Sequence, residues 1–264
     1  MNKSLIFSLR HAEVSLVEES LDLLIQSPFK YFEISGELFE SSFYKTFKRK
    51  CFESEKTISS VFGLIPASLS RNWPKSSSQI SSELKVFLAE RLSSLVNENI
   101  YFAEIDLALD EVTKGQEVFD IEHRSQLISM ALAKTKGEIG SLLIPLRFPK
   151  ALPKSFEWRY TSMLQNKIAH SKLATVVNVF PYECHAESFN DFLKKTFYTA
   201  KVMRFCFDPV SDGFLNRESM QRWLQVFCDQ GFDGRVILSP RLESSAVLQG
   251  SLSQLSLLLK SYEI

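Results

Sequence analysis

Val202-Met-Arg-Phe-Cys-Phe207 runs into Asp208-Pro209, and Gly231-Phe-Asp-Gly234 runs into Arg235-Val-Ile-Leu-Ser-Pro240, with a stretch of helical period between them. The two short apolar runs, rich in β-branched and aromatic residues, read as buried strands, and the Asp-Pro and Gly-x-x-Gly pairs read as turns. Between them Met220, Trp223, Leu224 and Phe227 share one helix face. Strands joined by a helix cannot pair as a hairpin, so these two lie parallel, linked by a right-handed crossover.

The same alternation extends in both directions. Eight segments read as buried parallel strands: Leu5–Leu9, Tyr31–Ser35, Ile58–Ile65, Ile100–Leu107, Gly140–Arg147, Thr175–Phe180, Val202–Phe207 and Arg235–Ser239. Helical faces lie between and after them, among them Val14, Val17, Leu21, Leu24 and Ile25; Ile80, Leu84, Phe87, Leu88 and Leu95; Phe189, Phe192, Leu193 and Phe197; and Leu252, Leu255, Leu259 and Tyr262. Eight such units close into an α/β fold of the (β/α)8 TIM-barrel type, expected to form a single domain over residues 1–264. An open doubly wound sheet is the competing arrangement. Against it, no Gly-x-Gly-x-x-Gly follows the first strand and the chain holds only nine glycines. The Ser-rich stretch Lys75–Ser82 and the Pro-marked segment Pro149–Pro153 read as loops within the barrel.

Composition narrows the function. Lys plus Arg and Asp plus Glu number 31 each, which removes the basic excess that phosphate neutralisation along a nucleic acid requires. Cys51, Cys184, Cys206 and Cys228 form no Cys-x-x-Cys pair, so neither a zinc knuckle nor a dithiol redox motif is expected, and they read as reduced core thiols. No apolar run approaches the roughly 20 residues of a membrane span, and Arg10-His11 interrupts the N-terminal apolar stretch too early for a signal-peptide core. The expectation is a cytoplasmic protein with no nucleic-acid or membrane partner.

In a barrel of this type chemistry gathers where strands run into the loops that follow them. Arg10, His11, Arg71, Trp73, Arg147 and Arg241 fall there as candidate ligand-binding residues, and Glu183, His185 and Asp208 as candidate catalytic ones. Converging guanidinium forks suit a carboxylate or phosphate. The alternative is that the arginines pair with Glu33, Asp106 or Glu183. Glu183 and His185, two residues apart, suit shared acid-base work, or else cap the helix beginning near Glu187. Asp208 is either catalytic or a turn initiator before Pro209. Glu33 and Asp106 lie within strands, where pairing with arginine is the simpler reading. Trp73, beside Arg71, could wall a sugar-sized pocket.

Phe205-Cys-Phe-Asp208, the helix after it, and Gly231-Phe-Asp-Gly-Arg-Val-Ile-Leu-Ser239 resemble the xylose-isomerase-like TIM barrels, the group of sugar isomerases and sugar-phosphate epimerases related to apurinic-site endonucleases. Strand spacing supports the likeness over nearly the whole chain, and specific motif residues cover its last quarter. The resemblance implies a metal-ligand His on the seventh strand and a metal-ligand Glu on the eighth. Aligned on Asp208 and on the two glycines, those positions fall on Phe205 and Ser239, while the fifth strand ends in Arg147 where the family supplies Glu. No metal or other cofactor is therefore expected. What the resemblance implies is a barrel that binds a small polar or anionic sugar-related ligand at its C-terminal face, with isomerisation or epimerisation as its reaction. The alternative is a non-catalytic barrel serving as a binding or interaction protein.

Overall fold

The structure, a computed structural model, describes residues 5–65, 78–105, 117–134, 140–148, 156–181, 200–210, 217–229 and 231–262. Eight strands close in sequence order into one barrel: β1 (Leu5–Ser8), β2 (Tyr31–Ser35), β3 (Thr57–Phe62), β4 (Phe102–Glu104), β5 (Ser141–Phe148), β6 (Leu173–Val179), β7 (Ala200–Phe207) and β8 (Arg235–Pro240). β1 pairs in parallel with both β2 and β8, which closes the ring, and β7 pairs with β8 over six residue pairs, Val202 opposite Arg235 through Phe207 opposite Pro240. The helices are α1 (Val14–Glu19), α2 (Leu21–Gln26), α3 (Gly36–Glu40), α4 (Tyr44–Glu53), α5 (Ser78–Asn97), α6 (Glu117–Lys134), α7 (Phe156–Ile168), α8 (Arg217–Asp229) and α9 (Ser245–Tyr262). By compactness the chain divides into two units, residues 1–59 with 147–149 and 177–264, and residues 60–146 with 150–176.

The strands form where expected because their apolar runs are buried on both sides, as in β1 and in β7 from Val202 onward. Their ends differ for identifiable reasons. β3 stops at Phe62 instead of reaching Ile65 because Gly63 takes a left-handed conformation, φ +65°, that no strand continues. β5 runs one residue further than the sequence suggests, which places Arg147 inside the strand. The single helix expected from Val14 to Ile25 is two, broken at Ser20 (φ −101°, ψ 12°), yet Val17 and Leu24 still face the core. Ser35, closing β2, starts α3 directly by accepting the Leu38 N–H at 3.1 Å.

The Gly231–Gly234 turn needs both glycines. Gly231 sits at φ +67°, and a Cβ on Gly234 would lie 2.4 Å from the Lys201 carbonyl oxygen and 2.3 Å from the Phe232 ring. That close approach of backbones seats β8 beside the start of β7.

The second unit has its own buried polar centre. Arg124 Nε lies 2.9 Å from Asp120 Oδ2 on α6, Tyr160 of α7 donates its hydroxyl to the same carboxylate, and the Arg124 guanidinium stands 5.7 Å from the Tyr160 ring centroid.

Candidate functional site

Strand pairing dictates which side chains enter the barrel. Arg204 on β7 reaches Glu33 on β2, although β8 and β1 lie between those strands, so the contact runs through the barrel interior. With Arg204 pointing inward, alternation along the strands turns Cys206 inward as well, and the β7–β8 register adds Ile237 and Ser239. Ser8, opposite Glu33 in the β1–β2 register, is also interior.

These residues assemble into one buried network. Arg204 places Nη2 on Glu33 Oε1 and Nε 3.2 Å from Glu33 Oε2, while its Nη1 donates to Asn178 Oδ1 of β6 at 2.7 Å. Ser8 Oγ donates to Glu33 Oε2 at 2.5 Å and accepts the Arg10 backbone N–H at 3.2 Å. A charge taken out of water is tolerable when it is paired and its lone pairs are occupied, and this forked geometry meets both conditions. Near it Cys206 and Ser239 are buried, and the Ser239 hydroxyl finds no hydrogen-bond partner among the described residues.

Toward the ends of the strands stand His11, Arg10, Asp208 and Arg241. Partial loss of hydration lowers the His11 pKa to about 4 although the residue is still exposed by surface area; Arg10, Arg204 and Arg241 push in the same direction and Glu33 opposes them. His11 is thus a neutral imidazole at pH 7 in a positive setting. Arg241 Nη1 lies 3.7 Å from Asp208 Oδ2, and its Nε lies 2.8 Å from Glu243 Oε1. Asp208 Oδ1 accepts the Val210 N–H at 2.9 Å across Pro209, the geometry of a turn initiator.

Of the residues singled out from sequence, Arg10 and Arg241 both bear electrostatically on His11, and Asp208 lies 3.7 Å from Arg241. Arg147 lies along β5 with its guanidinium 4.2 Å from the Phe180 ring centroid. Arg71, Trp73, Asp106, Glu183 and His185 lie outside the described residues. Phe205 faces outward: its ring packs edge-on against Trp223 of α8, with centroids 5.8 Å apart. The interior positions on that stretch of β7 therefore belong to Arg204 and Cys206, one residue to either side of the position the sequence alignment selects.

Arg204, Asn178 and Ser8 escaped the sequence reading because each sits in an apolar run. A signal was present in Glu33 and Arg204, two opposite charges buried in strands, since each needs a partner the interior must supply.

Among the described residues no three His, Cys, Asp or Glu side chains converge. The guanidinium of Arg204 already brings a positive charge to the interior, and Glu33, the carboxylate beside it, is engaged by Arg204 and Ser8.

Comparison with known proteins places the fold. No protein-family model matches the sequence, and no curated protein matches it. Among solved structures, D-psicose 3-epimerase with D-tagatose from Clostridium cellulolyticum H10 superposes with a TM-score of 0.72 at 10% identity, covering 99% of this chain and 100% of that one. AP endonuclease, family 2 from Brucella melitensis gives 0.70 at 11% identity, covering 98% of each chain. The apo form of 3-keto-D-glucoside 4-epimerase from E. coli gives 0.69 at 9% identity, covering 98% of this chain and 100% of that one. The chain has the fold of the xylose-isomerase-like TIM barrels.

Proposed function

We propose that the barrel mouth binds a small, oxygen-rich, anionic ligand of the sugar or sugar-phosphate class, with Arg10, His11 and Arg241 as its contacts and with Arg71, Trp73 and Arg147 as further candidates from the sequence. The setting of His11 supports this reading: after loss of hydration, Arg10, Arg204 and Arg241 disfavour a proton on it and Glu33 favours one, while Asp208 and Glu243 lie against Arg241. A site that resists an added positive charge favours an added negative one. The fold shared with a D-psicose 3-epimerase and a 3-keto-D-glucoside 4-epimerase supports a sugar-like ligand by analogy.

The reaction consistent with such a ligand is proton transfer next to a carbonyl. A base takes the proton from the carbon alpha to the carbonyl, the resulting enediolate oxygen rests against guanidinium groups, and the proton returns to give the epimer or isomer. Glu183 or His185 would move that proton, with Asp208 as a third candidate. A second, non-catalytic reading draws support from the described acids. Glu33 is engaged by Arg204, and Asp208 by the Val210 N–H of its turn, so each already has a structural partner.

Thermal unfolding with and without sugar phosphates tests the binding reading, because a ligand that prefers the folded state raises Tm with concentration. The expected result is a rise that Arg241→Ala removes while the unliganded Tm stays the same, since Arg241 is 61% exposed. No rise with any sugar phosphate or inorganic phosphate at millimolar concentration would overturn it. Exchange of substrate C–H for solvent deuterium then separates the catalytic barrel from the non-catalytic one.

A further inference from the structure

Helix α4 carries a feature that the barrel mouth does not use. Tyr44, Phe47 and Cys51 are buried and form its inner face. Lys45, Lys48, Arg49 and Phe52, at spacings of three, four and seven residues, make one stripe along the flank of that inner face, with Lys48 half-buried, and Glu53 separates the stripe from Lys50. Phe52 is 82% exposed, the highest value among the exposed large apolar side chains described. Glu53 is the one carboxylate within the helix, 3.8 Å from Arg49 Nε and 3.4 Å from Lys50 Nζ. Four cations against one acid is a local excess in a chain whose 31 basic and 31 acidic side chains balance as a whole.

An exposed phenylalanine adds nothing to the core, and cations around it discourage burial against another ordinary protein surface. A partner that accommodates both must offer negative charge over an apolar layer. That combination is the headgroup region of an anionic bilayer, where clustered Lys and Arg sit among acidic headgroups and an aromatic ring enters the interfacial zone. Single-stranded nucleic acid also takes cations and aromatic rings, but it is usually held in a basic groove, whereas this stripe is the flank of one helix.

We propose that the stripe Lys45, Lys48, Arg49 and Phe52 docks the protein reversibly on anionic lipid surfaces. No described helix is long and apolar enough to cross a membrane, so the attachment is peripheral. The sequence reading expects no membrane partner because it weighs spans alone, and a docking stripe leaves no such mark.

Sedimentation of the whole protein with phosphatidylcholine vesicles, with and without phosphatidylserine, tests the proposal. Binding is expected only with phosphatidylserine, and it should weaken steeply with added salt. Each cation near such a surface contributes about fivefold, so K45E/R49E should lower the partition coefficient more than tenfold. Phe52→Ser should lower it several-fold at low salt. All three positions are exposed, and unchanged thermal melts would show that the variants fold. Equal binding to both vesicle types, or binding unchanged in K45E/R49E or in Phe52→Ser, overturns the proposal. Displacement from the vesicles by an equal concentration of single-stranded oligonucleotide assigns the stripe to nucleic acid and overturns it as well.

Discussion

Arg204 on β7 grips Glu33 on β2 through the barrel interior, with the two side chains at 0% and 1% exposure. The contact ties strands that share no backbone ladder, and Asn178 and Ser8 extend it to β6 and β1. Four of the eight strands therefore meet in one polar network.

Removing one partner of this pair strands the other's charge in an interior that cannot solvate it. Arg204→Met or Glu33→Gln alone should cost about 3–5 kcal/mol. Replacing both with apolar residues of similar volume should recover much of that loss, because two charges and their desolvation leave together. Urea unfolding of the two single variants and the double variant measures the coupling directly. A double variant no more stable than the worse single one would show that the network contributes more than charge pairing.

The same pair marks how far the sequence could be read. Eight apolar runs alternating with helical faces carry the barrel, because burial of both strand faces writes itself into composition. Arg204 did not stand out, since a charged residue in an apolar run says nothing of its partner until the barrel closes and brings β2 opposite β7. The family resemblance selects Phe205 on β7, and alternation along a strand puts its neighbours Arg204 and Cys206 on the opposite face. Phe205 consequently packs on Trp223 and takes no part in the interior. Gly231 was legible because its reason is local, a left-handed φ, whereas the Lys201 carbonyl that crowds Gly234 comes from β7.

Gly234 leads to a prediction about β8. A methyl group there would stand 2.4 Å from the Lys201 carbonyl oxygen, closer than two such atoms can lie, and backbone cannot swing aside as a side chain can. Gly234→Ala should therefore destabilise the fold by about 1–3 kcal/mol as the β7–β8 pairing shifts to make room. Chemical denaturation measures the loss, and faster amide exchange along Arg235–Pro240 would locate it. Unchanged stability would mean that the turn opens without disturbing the ladder.

Cys51 offers a test of burial on α4. Desolvation raises its thiol pKa to about 12, against a smaller opposing pull from Lys56. Since the thiolate is the reactive form, native protein at pH 8 should label with iodoacetamide at Cys51 far more slowly than protein unfolded in urea. Peptide mapping after labelling reads this residue apart from the other cysteines. Equal rates in the two states would show that the inner face of α4 opens readily.

His11 gives the mouth a pH signature of definite sign. Its pKa in the folded chain is about 4, first because the ring is partly desolvated and then because the charges of Arg10, Arg204 and Arg241 disfavour its proton, whereas its ordinary value is 6.5. Between those values the unfolded chain binds a proton that the folded chain refuses. The His11 contribution to stability is present in full above pH 6.5 and is lost as the pH falls toward 4. Unfolding free energy measured from pH 7 to pH 4 should fall more steeply in the native sequence than in His11→Gln, which has no proton to bind. An anion held by Arg10 and Arg241 would offset the positive field on the ring, so added phosphate should raise the His11 pKa and soften that slope. Proton NMR of the imidazole follows both effects. A His11 that titrates near 6.5 in the absence of phosphate would show that the arginines do not bear on it, and the anion site proposed here would lose its support.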